Sequence, residues 1–150
     1  MFNNKYAEAQ LYGSNKYPEI RGKVTFHQTS KGVAVTANII GLPIKNKTEN
    51  PFFAFHIHEG RSCTGNNTDP FADTGTHYNP YNVPHPCHIG DMPPLMSSDG
   101  YAHLSFFTNR FTVRELIGKA VVIHAMADDF MSQPSGNSGM KIACGVIKIR

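Results

Sequence analysis

Between Pro51 and His58 the chain reads Pro-Phe-Phe-Ala-Phe-His-Ile-His, with its apolar and imidazole side chains on alternating positions. A two-residue period belongs to an extended strand, and it places Phe53, Phe55 and Ile57 on one face and His56 and His58 on the other. The same short pattern runs through the rest of the sequence. Strands are predicted over 8–11, over 22–28 where Val24 and Phe26 alternate, and over 33–40 after the Ser30-Lys31-Gly32 turn, which together read as hairpins. Further strands are predicted over 101–108 after Ser98-Asp99-Gly100, over 119–125 and over 142–149. Only 112–116 could form a helical turn. Thirteen glycines and ten prolines supply the breaks, and 40% hydrophobic with 17% charged residues is globular rather than disordered composition. At 150 residues the chain is one domain long and buries roughly two-thirds of its unfolded surface. The expectation is a single all-β domain over residues 1–150, a β-sandwich or flattened barrel.

Residues 59–94 do not fit the strand grammar. They are rich in Gly, Asn, Asp, Thr and Pro and far longer than an ordinary connection, and loops of that length are usually functional or disordered. His77, His85, His88 and Asp91 fall within fifteen positions of this segment. Three imidazoles and a carboxylate are the ligand type and number of a closed tetrahedral zinc site. His56 and His58 could chelate a metal from one strand face or stand as exposed polar residues opposite a core face. His124 closes an apolar strand and alone would read as a core-edge histidine. The three cysteines, Cys63, Cys87 and Cys144, form no C-x-x-C motif and allow at most one intramolecular disulfide, leaving an odd thiol.

Several function classes are excluded by charge and hydropathy. A net charge of +3 without any run of Lys or Arg cannot neutralise a series of phosphates, so nucleic acid is not an expected partner. No stretch of about 18 apolar residues suggests a membrane span. Met1 to Tyr6 lacks an apolar leader segment, so the chain as given is expected to be cytoplasmic, or periplasmic or extracellular if an upstream signal has been removed.

Five ordered motifs then carry a resemblance: His56-Ile57-His58-Glu59, Gly75-Thr76-His77-Tyr78-Asn79-Pro80, His88-Ile89-Gly90-Asp91, Val122-Ile123-His124-Ala125 and Ala143-Cys144-Gly145-Val146-Ile147. In this order they resemble the copper,zinc superoxide dismutases, over about two-thirds of the chain. The short 59–63 step and His85-Pro86-Cys87-His88 look closer to bacterial members. The resemblance implies a Greek-key β-barrel or sandwich of the immunoglobulin-like type with long metal-binding loops, disproportionating superoxide to dioxygen and hydrogen peroxide. It implies one Cu2+ per chain on His56, His58, His77 and His124, and one Zn2+ per chain on His77, His85, His88 and Asp91, with His77 as bridge and catalytic proton carrier. Asp128 matches the carboxylate that accepts hydrogen bonds from His56 and His85. Cys63 and Cys144 match the family disulfide, while Cys87 has no counterpart and reads as a spare thiol.

At the position of the family's arginine near copper stands Lys141, which is expected to guide the anionic substrate as a flexible point charge without the planar fork of a guanidinium. The family is compatible with a monomer or a homodimer. The alternative within the same fold is a non-catalytic metal-binding or chaperone-like protein, but such domains usually lack a copper ligand and all four positions are histidine here.

Overall fold

The computed structural model describes residues 5–150; the reading of Met1 to Asn4 as part of a segment without an apolar leader lies outside the described residues. Nine strands carry the described fold: β1 (Tyr6–Gly13), β2 (Arg21–Gln28), β3 (Val33–Ile40), β4 (Phe52–Phe53), β5 (Phe55–His58), β6 (Leu95–Met96), β7 (Ala102–Thr108), β8 (Ala120–His124) and β9 (Lys141–Ile149). One α-helical turn, α1 (Val113–Leu116), and one 3-10 turn (Ala72–Thr74) accompany them. Thr112 caps α1 reciprocally with Glu115, which satisfies two otherwise orphaned amides at its start.

Each predicted strand region is extended, with two instructive differences. β1, from Tyr6 to Gly13, is longer than 8–11: Ala7, ahead of the predicted start, packs fully but carries little apolar signal. The expected strand over 51–58 is interrupted at Ala54. Phe53 pairs with Leu95 in the small β4–β6 ribbon, whereas Phe55 pairs with Ile123 in the main sheet. The alternation survives the break, since Phe53, Phe55 and Ile57 are all completely buried.

Seven strands form one antiparallel sheet in the order β5-β8-β9-β1-β2-β3-β7. The connection from β3 to β5 and that from β7 to β8 cross between opposite sides of this order, the crossing pattern of a Greek key. β4 runs into β5 and β6 leads towards β7, so the ribbon ties the two end strands together and the sheet is curled. Inside the curl lie Leu11, Ile20, Phe26, Ile39, Phe53, Phe55, Ile57, Leu95, Ile123 and Ile147, each fully buried and each contributing roughly 1.5–3 kcal/mol by removal from water.

β8 positions the site. Val121 and Ile123 face the main core, while Ala120 and Val122 face a second small cluster with Phe71 and Cys144. A strand buried on both faces needs a cover over its second face, and the long 59–94 segment provides it. Cys63 is disulfide-bonded to Cys144 of β9, with Cα atoms 5.8 Å apart and 81 positions of separation. Closing a loop of that size contributes about 4 kcal/mol in the chain-entropy model. Cys87 is a free, exposed thiol. No helix among the described residues is long and apolar enough to cross a membrane.

Candidate metal centre

β5 is an edge strand, and its outer backbone is paired by the loop rather than by another strand. Ile57 N–H donates to Gly90 O at 2.9 Å, Tyr78 N–H donates to Ile57 O at 2.8 Å, and Glu59 N–H donates to Thr76 O at 2.9 Å. Gly90 is required for this approach, since a Cβ there would lie 2.2 Å from Ile57 O. The pairing draws His77 alongside His58 and Asp91 alongside His56. His124 arrives from β8 beside a break in register between Ile123 and His124, and its own N–H donates to Ala54 O at 2.9 Å.

Two clusters result, and they share one residue. His56, His58, His77 and His124 form one; His77, His85, His88 and Asp91 form the other; in each group the ligand atoms lie within 4.8 Å of one another. All six histidines are buried. Every candidate ligand is therefore brought to one place, including the three histidines that the residues alone left ambiguous.

Tautomers follow from the hydrogen bonds and decide whether the clusters fit cations. His58 Nδ1–H donates to Gly75 O at 2.9 Å and His124 Nδ1–H donates to Gly139 O at 3.2 Å. Both Nε2 atoms then carry lone pairs, yet they face each other at 3.2 Å. Likewise His56 Nε2–H and His85 Nε2–H donate to the two oxygens of Asp128, each at 2.8 Å, which leaves Nδ1 of both rings as a lone pair. His85 Nδ1 points at a carboxylate oxygen of Asp91 at 3.0 Å. His56 Nδ1, His77 Nε2 and His85 Nδ1 are buried without any hydrogen-bond partner. Buried acceptors turned on one another are costly unless a cation stands between them. These residues fit two metal ions, with imidazoles alone on one side and a carboxylate added on the other.

The electrostatics agree. Burial, with neighbouring histidines adding to it, pushes His58 well below its ordinary range and His124 down to about 3. Burial also lowers His56 and His88 despite the opposing pull of the Asp128 and Asp91 carboxylates. These rings are neutral and ligand-competent at neutral pH. Asp128 is raised by burial but is driven further down, to about 2, by the hydrogen bonds from His56 and His85. Asp91 is held low in the same way by His77.

A groove of about 370 Å3 opens onto the first cluster, lined among others by His58, Thr76, His77, His124, Gly139 and Lys141. A larger groove, about 680 Å3, lies over β1 and β9 beside the disulfide, but no metal-capable group of the described residues belongs to it. Lys141 departs from the flexible cation expected. Its side chain is 14% exposed, and its ammonium donates to Phe71 O at 3.2 Å and to Gly75 O at 3.4 Å and pairs with Asp69 at 3.1 Å.

Two contributors escaped the sequence reading. Gln133 clamps His85 from the 128–139 loop: Gln133 Oε1 accepts from His85 N–H at 2.8 Å and Gln133 Nε2–H donates to His85 O at 2.7 Å. Gly136, with φ of 71°, lets the same loop press on the site, since a Cβ there would sit 2.0 Å from Asp128 Oδ1 and 2.7 Å from His85 Nε2. Nothing in the spacing signals Gln133; the density of glycines over 136–139 signals a tight turn but not what it turns around.

Comparison with known proteins places this geometry in context. The family model for copper/zinc superoxide dismutase (SODC) matches residues 20–147. A Cu-Zn superoxide dismutase of Aquifex aeolicus is 35% identical over 157 residues, covering 95% of this chain and 86% of the relative. One from Legionella pneumophila is 35% identical over 148 residues, covering 93% of this chain and 85% of the relative. The solved Cu/Zn superoxide dismutase of Brucella abortus superposes with a TM-score of 0.78 over 94% of this chain and 98% of that one, at 24% identity, which shows the shared fold. The chain belongs to the copper/zinc superoxide dismutase family.

Proposed function

We propose that this chain disproportionates superoxide, two superoxide anions and two protons giving one dioxygen and one hydrogen peroxide, as one domain over residues 1–150. In this reading His56, His58, His77 and His124 hold one copper ion and His77, His85, His88 and Asp91 hold one zinc ion. The observation that supports it best is the shared ring of His77. Its Nδ1 lies 2.8 Å from Asp91 and 3.2 Å from His88 Nδ1, its Nε2 is buried without a partner, and the residue belongs to both clusters. A ring ligating through both nitrogens must give up its second proton, which two adjacent divalent cations favour.

Bound copper supplies one-electron chemistry and bound zinc supplies none. The residues of the chain supply the rest. Asp128 fixes the rings of His56 and His85 with one carboxylate. His77 Nε2 is the atom at which a proton for peroxide can be held, and Lys141 places a positive charge on the groove through which a small anion reaches it. The disulfide favours an oxidising compartment, periplasmic or extracellular.

The test is a superoxide-decay assay on protein whose metal content is measured in the same sample, followed by replacement of zinc with cobalt. Activity at one copper and one zinc per chain, with the copper spectrum altered by cobalt, is the expected result. Full loading without activity, or two independent spectra, would overturn the reading.

A further inference from the structure

The groove over the copper-side cluster is poor in charge. Among the described residues that line it, Lys141 is the one lysine or arginine. An ammonium has three N–H donors and no more. Here the three acceptors around it are Asp69 Oδ2 at 3.1 Å, Phe71 O at 3.2 Å and Gly75 O at 3.4 Å. Two donors are taken by backbone oxygens and the ammonium is ion-paired with the Asp69 carboxylate, so the nearest countercharge sits against the cation itself.

Asp69 is not a chance neighbour. Its other oxygen, Oδ1, accepts from Phe71 N–H at 2.9 Å, and its own N–H donates to Asn66 Oδ1 at 2.9 Å. Its backbone O accepts from Asn66 N–H at 2.9 Å and from Ala72 N–H at 3.2 Å. The turn that ends in the Ala72–Thr74 3-10 segment therefore fixes Asp69 with one oxygen turned inward to Lys141. Gly75 O in turn accepts from both Lys141 and His58 Nδ1–H, so the cradle that holds the ammonium also fixes the tautomer of a copper-side ring.

Resting on the superoxide dismutase reading of this site, we propose that Asp69 is a positioning residue that holds the Lys141 ammonium in this cradle and masks its charge, setting how strongly the groove draws small anions. The effect is a restraint. Removing the carboxylate unmasks the charge, so anion affinity should rise rather than fall. A gain of that kind is not produced by a damaged fold.

The experiment uses the metal-loaded protein and two variants, Asp69→Asn, which can keep the bond to Phe71 N–H, and Asp69→Ser, which shortens the side chain. Azide is the probe, its affinity read from the Cu(II) absorption spectrum, beside kcat/KM for superoxide across a range of ionic strength. Both variants are expected to bind azide and to raise low-salt kcat/KM roughly 3- to 10-fold, at the low end of what steering achieves. The gain should vanish near 1 M salt, where the Debye length is about 3 Å. The same substitution in a Lys141→Ala background separates positioning from a remote field. The gain there is expected to be less than about one-third of that in the parent.

Equal gains in both backgrounds would show that Asp69 acts only as a distant negative charge, and unchanged azide affinity and salt slope at constant metal content would show that it does not act at all. Either overturns the proposal. A fully loaded wild type without dismutase activity would instead overturn the proposed function, and the azide titration would still report on Asp69.

Discussion

The two halves of the proposed copper and zinc centre are built from different material. On the copper side, His56, His58 and His124 project from β5 and β8, strands whose opposite faces are locked into the main core. On the zinc side, His77, His85, His88 and Asp91 all come from one long connection. Strand ligands inherit their positions from the core, at no further cost. Loop ligands must be ordered against chain entropy of roughly 1–2 kcal/mol per residue, and the structure shows what does it: the disulfide at one end, backbone pairing onto β5, and Asp128 and Gln133 reaching across from the 128–139 loop. The zinc side should therefore be the first to fail under almost any perturbation.

The largest effect should come from the disulfide. Cys144→Ser opens the 81-position closure, and about 4 kcal/mol in a chain of this size corresponds to a fall in Tm on the order of 10 °C. Reductant should shift wild type by the same amount and leave the variant unmoved. If the copper-side histidines exchange their backbone amides as slowly as before while 59–94 exchanges faster, the contrast between strand and loop is upheld. Uniform acceleration would show that the two regions unfold as one.

Asp128→Asn comes next, because it strikes both sides with one atom change. An amide keeps one acceptor oxygen and presents a donor where the second was, so either His56 or His85 loses its partner. Zinc affinity should fall about 10- to 100-fold. Copper affinity should fall less, because His56 stays in place on β5 whereas His85 stands on a loop. Equal losses measured by competition against a chelator would contradict the asymmetry.

The same contrast explains what could be read from the sequence. Period-2 alternation made the strands legible, and with them the faces on which His56 and His58 stand, because a strand's pattern is imposed by the core it covers. The break at Ala54 was not legible, since Phe53 and Phe55 obey one alternation while pairing with different partners. Loop ligands were legible only as chemistry: three imidazoles and a carboxylate close together in sequence said zinc but nothing of the route. Residues that act by position alone left no trace. Asp69 lies 72 positions from Lys141 and Gln133 lies 48 from His85, and no local rule links either pair.

Gln133 gives the smallest and most specific test of the comparison. Its side chain makes two neutral hydrogen bonds to the backbone of His85, one through the carbonyl and one through the amide, and is itself a member of neither metal cluster. A neutral bond contributes about 0.5–1.5 kcal/mol net, and for this exposed side chain the low end applies to each, so Gln133→Ala should weaken zinc about 5-fold if both serve only to pre-order His85. Copper affinity should hold within about twofold, since no copper-side ring depends on that backbone. Gln133→Glu sharpens the reading: it retains the acceptor for His85 N–H but turns a second acceptor towards His85 O. Half a clamp and one repulsion should leave its zinc affinity no better than that of Gln133→Ala. If the glutamate variant binds zinc as tightly as wild type, ordering of His85 by Gln133 is not what holds the loop, and Asp128 with the disulfide would have to suffice.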